Sequence, residues 1–218
     1  MNRLIPLALV LMTVTSCATM VTHETAEESL RESRTCCESF AQLGYDQLAE
    51  SGTVSFNLDA SSRTYNFQTG KSYFKAFRLP ARHLPYHIRI SSFALGEVIM
   101  KAHIFDPQIA LLDDHYAIIK QSIDSDFFLK KAGMKETLGL PIKLEGDFLI
   151  DEPNAQYLLV FTTQEKMRAT TPYETYTVKP VILPGLVTAI PTGKEAIQIP
   201  HSPFGLLQLE VIDAMETN

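Results

Sequence analysis

Apolar side chains recur at every second residue along much of this chain, and that period constrains its fold more than any other feature. Thr53–Leu58 (TVSFNL) sets Val54, Phe56 and Leu58 on one face of an extended segment. Tyr65 and Phe67 alternate in the same way. So do Tyr86, Ile88 and Ile90, with His87 and Arg89 turned to the opposite side. Residues 97–105, 108–112, 116–120, 142–150, 157–163 and 206–212 read as further strands, rich in the Val, Ile, Phe and Tyr that suit a pleated surface. Asp-Pro, Leu-Pro, Glu-Gly-Asp and Glu-Pro-Asn turn signals fall between them. Only two stretches of the folded part look helical. One is 38–50, interrupted by Gly44; the other is 125–132, with Ser125 as N-cap and Gly133 as C-cap. Strands without interleaved helices cannot easily run parallel. The expected fold is therefore all-β: an antiparallel β-sandwich with one or two short helices. Six prolines between Pro172 and Pro203 predict extended loops and edge strands in the C-terminal region.

Composition narrows the function. The 218 residues are 45% apolar, enough for a core, and no run of 18 apolar residues offers an ordinary membrane-spanning helix. A formal charge of −6 without a basic block makes a poor binder of a phosphate backbone, so nucleic acid is not an expected partner.

The amino terminus reads as an address. Arg3 precedes the nine-residue apolar stretch LIPLALVLM, and Val14-Thr15-Ser16-Cys17 follows. This is the layout of a secretory signal, and its end looks like a bacterial lipobox. Nine helical residues reach only ~14 Å, about half a bilayer core. Residues 1–16 are thus expected to be a signal peptide, with Cys17 becoming the acylated first residue. Ala18, in place of Asp, favours sorting to the outer membrane. Several acyl chains anchor firmly where one is marginal, since each buried CH₂ contributes ~0.8 kcal/mol. Residues 17–35 are polar and acidic and read as a flexible, lipidated tether with a frayed helix at 25–34; 36–218 read as one domain.

A search for chemistry returns little. There is no P-loop, dinucleotide fingerprint or nucleophile elbow, and no cofactor is expected. His83 and His87 have i, i+4 spacing, but Pro85 and the strand context prevent a helical pair, so they read as unligated surface histidines. Asp124-Ser125-Asp126 begins like a calcium loop yet lacks the Gly and Glu that complete one, and suits a helix N-terminus better. Asp113, Asp114, Asp147, Asp151 and Glu152 offer carboxylates for glycoside hydrolysis only if the fold pairs them. No catalytic or metal site is expected.

Cys36 and Cys37 are the remaining sulfurs, in a compartment that oxidises thiols. Adjacent Cα atoms lie ~3.8 Å apart, below the usual disulfide range of ~4.4–6.8 Å. Packed thiols, a bridge between neighbours and a bond to another chain all stay open. For sugar recognition the chain has no Trp; Tyr86, Tyr116, Tyr173 and Tyr176 are the candidate stacking platforms, although most aromatics are expected in the core.

Several stretches carry a family resemblance: Cys36-Cys37-Glu38-Ser39-Phe40, residues 70–80 (GKSYFKAFRLP), Phe105-Asp106-Pro107 with 109–113, residues 157–163, and 201–211 (HSPFGLLQLEV). In order and spacing they resemble the maltose operon periplasmic protein (MalM-like) family over roughly 36–212. The resemblance implies a β-rich periplasmic protein of Gram-negative bacteria associated with carbohydrate transport. The combined expectation is an outer-membrane lipoprotein facing the periplasm, assisting maltodextrin-type transport by binding a glycan or a transport component. The alternative is an envelope lipoprotein with a structural or protein-interaction role and no sugar ligand, and a glycan hydrolase stands third. Replacing the acylated sulfur tests the address: Cys17→Ser should move the protein from the membrane pellet to the soluble fraction, and retention in the pellet would refute the anchor.

Overall fold

The computed structural model describes residues 22–123, 126–130, 142–183 and 186–213. In chain order the elements are helix α1 (His23–Glu32), a 3₁₀ turn (Phe40–Gln42), β1 (Asp46–Gln47), β2 (Thr53–Leu58), β3 (Thr64–Phe67), β4 (Gly70–Tyr73), β5 (Lys75–Arg78) and β6 (Tyr86–Phe93). A second 3₁₀ turn (Ile99–Lys101) precedes β7 (Gln108–Leu112), β8 (Ile118–Gln121), β9 (Phe128–Lys130), β10 (Lys143–Ile150) and β11 (Tyr157–Phe161). Helix α2 (Gln164–Arg168), β12 (Thr170–Leu183), β13 (Leu186–Pro200) and β14 (Gly205–Asp213) complete the chain.

Two five-stranded sheets form the sandwich, in the orders β1-β5-β11-β7-β8 and β2-β14-β6-β10-β9; β12–β13 and β3–β4 are separate hairpins. All pairings of named strands are antiparallel except β1 with β5. Phe77, Ile109, Leu111, Leu158 and Val160 of the first sheet pack against Leu58, Ile88, Ile90, Phe148, Leu207 and Leu209 of the second. The first sheet is covered on its other face too. There Ala76, Ala110, Leu112, Leu159 and Phe161 meet Leu43, Phe67 and Phe74. That is why β7 (QIALL) and β11 (YLLVF) are unbroken buried runs rather than alternating ones. The second sheet keeps one face toward solvent, so β14 and most of β6 alternate.

Several elements differ from the sequence reading. Residues 23–32, read as part of the tether, form a docked helix. A reciprocal cap between Thr22 and Thr25 starts α1, and Ala26 and Leu30, four apart on one face, are buried. Ser29 shares a hydrogen bond with the Tyr73 hydroxyl, and Lys71 donates to the Arg31 and Ser33 carbonyls at the helix end. The helix expected at 38–50 shrinks to the 3₁₀ turn Phe40–Gln42; at Gly44 the backbone turns to a φ of 70°. Within 125–132, Phe128–Lys130 is a strand beside β10, and cross-strand pairing overrides its local helical pattern. The strand expected at 97–105 is a 3₁₀ turn followed by single bridges at His103 and Ile104.

The proline-rich segment is one long hairpin, β12–β13, running from the Thr170–Pro200 pair to Leu183–Leu186 with a bulge at Thr177/Val178. Each of its strands pairs with the other alone, an edge position that tolerates proline. Its base is tied to the domain where Ile199 packs with Ala102, Ile104 and Leu144. Docking of α1 is testable by Ala26→Asp. Setting a carboxylate into this buried position should cost at least about 2 kcal/mol in urea unfolding, whereas a solvated tether would tolerate it within about 0.5 kcal/mol.

Candidate functional site

The solvent face of the second sheet carries its polar side chains in cross-strand rows. Strand register aligns Ser55, Gln208, Ser91, Glu145 and Phe128 in one row, and Thr53, Glu210, Arg89 and Asp147 in the next. Opposed residues of an antiparallel pair point to the same face, so the period-two pattern alone builds this array. A cleft of about 260 Å³ opens over Arg89, Ser91, Lys130, Lys143, Glu145, Gln208 and Glu210. At its edge Phe128 is 60% exposed, a bare ring beside the polar row.

Glu145 organises the cleft. Its carboxylate is buried and accepts from Ser91 Oγ at 2.8 Å and Lys130 Nζ at 2.8 Å, with Lys143 Nζ at 2.5 Å. Burial opposes its ionisation, but hydrogen bonds from Lys130, Lys143 and Ser91 outweigh that and hold the carboxyl at about 2, below an ordinary 4.5. One strand over, Arg89 grips Asp147 through two parallel bonds of 2.8 and 2.9 Å, and the carboxylate strengthens the guanidinium's hold on its proton. Both partners are about one-third exposed, leaving fixed donors and acceptors at the surface.

A second cleft of about 460 Å³ lies between the 43–46 segment and strands β2 and β5, lined by Tyr45, Asp46, Asn57, Ser61, Arg63 and Lys75 among others. Lys75 pairs with Asp46 across it.

The residues singled out from sequence scatter. Cys17 and residues 1–16 lie outside the described residues, as do Asp124 and Ser125. Cys36 and Cys37 are joined to each other by a disulfide in this structure, with Cys36 exposed. His83 sits in an exposed loop and His87 half-buried on β6. Asp147 is held by Arg89, Asp151 by Lys120 at 2.6 Å, and Asp113 caps a turn by accepting from His115 and Ala117 backbone N–H groups. Asp113, Asp114 and His115 come within metal-ligand spacing of each other; Asp113 is a turn carboxylate, and Asp114 and His115 are exposed and 2.6 Å apart.

Among the tyrosines, Tyr86 is buried, which pushes its phenol up to about 12. Tyr116 stacks on Tyr157 at 4.9 Å, with Tyr45 4.4 Å from Tyr157, so these rings pack on one another. Tyr173 packs at the hairpin base, and the Tyr176 side chain is outside the described set. The exposed aromatic beside polar groups is Phe128, which the helical reading of 125–132 concealed.

The motif residues Asp106 and His201 are structural. Lys166 Nζ donates to Asp106 at 2.9 Å, and His201 bridges the Lys166 carbonyl at 2.8 Å and Thr171 Oγ1 at 2.7 Å, tying α2 and the hairpin base to β14. Burial favours the neutral form of His201 against the pull of Asp106.

The family model described as "Maltose operon periplasmic protein precursor (MalM)" matches residues 69–211, roughly two thirds of the chain. The chain belongs to the MalM family. It is a periplasmic protein with a maltose-related context. No curated protein and no solved structure matches the chain. The match begins at residue 69, so α1 and Cys36–Cys37 precede it, whereas Arg89, Phe128, Glu145, Gln208 and Glu210 lie within it.

The electrostatics of this MalM-family face give a signed pH prediction. A carboxyl lowered in the folded state adds stability above its unfolded value near 4.5, and that stability fades as pH falls toward 2. Glu145→Gln should therefore flatten the loss of stability between pH 4.5 and 2 in acid titrations followed by circular dichroism, and an unchanged acid limb would contradict the assigned ion cluster.

Proposed function

We propose that this MalM-family protein is an outer-membrane lipoprotein, anchored through Cys17 and facing the periplasm, that assists maltodextrin-type carbohydrate transport by binding a glycan on the outer face of its second sheet. The observation that carries this reading is Phe128 standing exposed beside a rigid row of hydrogen-bonding groups. A pyranose ring presents C–H groups on one face and hydroxyls around its rim. An aromatic ring meets the first, while Gln208, Glu210, Arg89 and Asp147 are placed to exchange hydrogen bonds with the second. The side chains are fixed by strand register and ion pairs, so binding would cost little ordering entropy. The role is recognition rather than bond-making.

A transport component is the alternative occupant of the protein. Val98 and Met100, 51% and 70% exposed, lie on the turn that abuts β13, and with the long hairpin they form the surface a protein partner would use. Thermal-shift titration separates the two readings. Maltodextrin at 100 times its dissociation constant stabilises the native state by ~2.7 kcal/mol, and a saturable shift is expected. Phe128→Ala should weaken binding at least about tenfold without lowering the unliganded melting midpoint, because the removed ring is mostly exposed. No shift at millimolar glycan would overturn the sugar reading and favour the hairpin surface.

A further inference from the structure

Arg63 places its guanidinium against one sulfur of the Cys36–Cys37 disulfide. Its Nη2 lies 3.0 Å from Cys37 Sγ and donates to the Gln42 carbonyl at 3.2 Å, while Nη1 donates to the Leu43 carbonyl. Gly44 makes room for this. A Cβ there would sit 2.6 Å from Arg63 Nη1, and its φ of 70° suits glycine. The two sulfurs are therefore unequal. Cys36 is exposed, and no cation lies against its sulfur among the described residues; Cys37 is half-buried, packs beside the cluster of Phe67 and Phe74, and carries Arg63. Cys36 is pinned by its own N–H donating to the Thr64 carbonyl at 2.9 Å.

We propose that Cys36–Cys37 is a thiol–disulfide exchange site in which Cys36 is the sulfur attacked and Cys37 the sulfur expelled, with Arg63 as the positioning residue. The co-reactant is a dithiol, such as the active site of a periplasmic oxidoreductase. Its thiolate attacks Cys36 Sγ. The Cys36–Cys37 bond breaks, its electron pair leaves on Cys37 Sγ, and a mixed disulfide joins the reagent to Cys36. The second thiol of the reagent loses its proton and attacks the reagent's own sulfur in that mixed disulfide, and Cys36 leaves and is protonated. In balance, the dithiol gives up two electrons and two protons and becomes a disulfide; one proton ends on Cys36 and one in solvent, while Cys37 stays a thiolate against Arg63. Exchange is faster when the leaving thiol has a low pKa, and a neighbouring arginine lowers it. The same guanidinium lines the second cleft and holds the carbonyl of Leu43, which also lines it.

The test uses the full-length protein in its oxidised form. Reduced glutathione followed by acid quenching and peptide mass spectrometry should place the adduct on Cys36, with Cys17 read on its own peptide. Dithiothreitol should reduce the pair without denaturant. Arg63→Gln should slow that reduction several-fold and raise the pH midpoint for alkylation of Cys37, which in the native protein should lie below the ordinary thiol value of about 8.5. Arg63→Lys should restore much of both by restoring the charge. Should Arg63→Gln fail to fold, the adduct ratio in the native protein and the comparison with Arg63→Lys still decide. An adduct mainly on Cys37, reaction only in denaturant, or rates and midpoints indifferent to Arg63 would each overturn the proposal.

Discussion

Strands β7 and β11 are buried on both faces, which removes the middle of the first sheet as a place for exposed polar groups. A sheet saturated with apolar contacts has no side on which to display chemistry. The covering layer of residues 36–45 and the β3–β4 hairpin must be apolar underneath, which explains the concentration of Phe40, Phe67, Phe74 and the stacked tyrosines there. Among the described residues the second sheet keeps a free face, and on it register converts simple alternation into ordered rows of charge and hydroxyl. The short strands β1 and β9 at sheet edges, together with Lys75 and Lys130 on or beside them, discourage edge-to-edge association.

How much was legible depends on where the information resides. The strands at Thr53–Leu58, Tyr86–Phe93 and Gly205–Asp213 announced themselves because one face is buried and the other wet, so Arg89 could be turned outward from sequence alone. Phe128 could not. Three residues are too few for a period, and its strand exists because β10 supplies the partner. The docking of α1 was legible in principle from Ala26 and Leu30, but two apolar residues in an acidic stretch fall below what composition can distinguish from a solvated run. The pairing of Arg89 with Asp147, 58 residues apart, follows only from register.

Two of the residues behind the family resemblance, Asp106 and His201, serve as joints. Asp106, Lys166 and His201 form a buried, mutually satisfied cluster at the place where the long hairpin leaves the sandwich. Removing one partner would leave a buried charge uncompensated, so the cluster serves the fold. The face proposed for sugar lies on a different surface; Gln208 and Glu210 on it belong to the 201–211 stretch, whereas Arg89, Phe128, Glu145 and Asp147 fall outside every stretch that carries the resemblance.

The docked helix also sets a leash. With α1 beginning at His23 and its cap at Thr22, Cys17 is five residue steps from the helix cap. Five fully extended residues span at most about 18 Å. A lipid-anchored protein on so short a line cannot sweep the periplasm for a ligand. Under the anchoring proposed through Cys17, it would ride close against the membrane surface, with its orientation restricted.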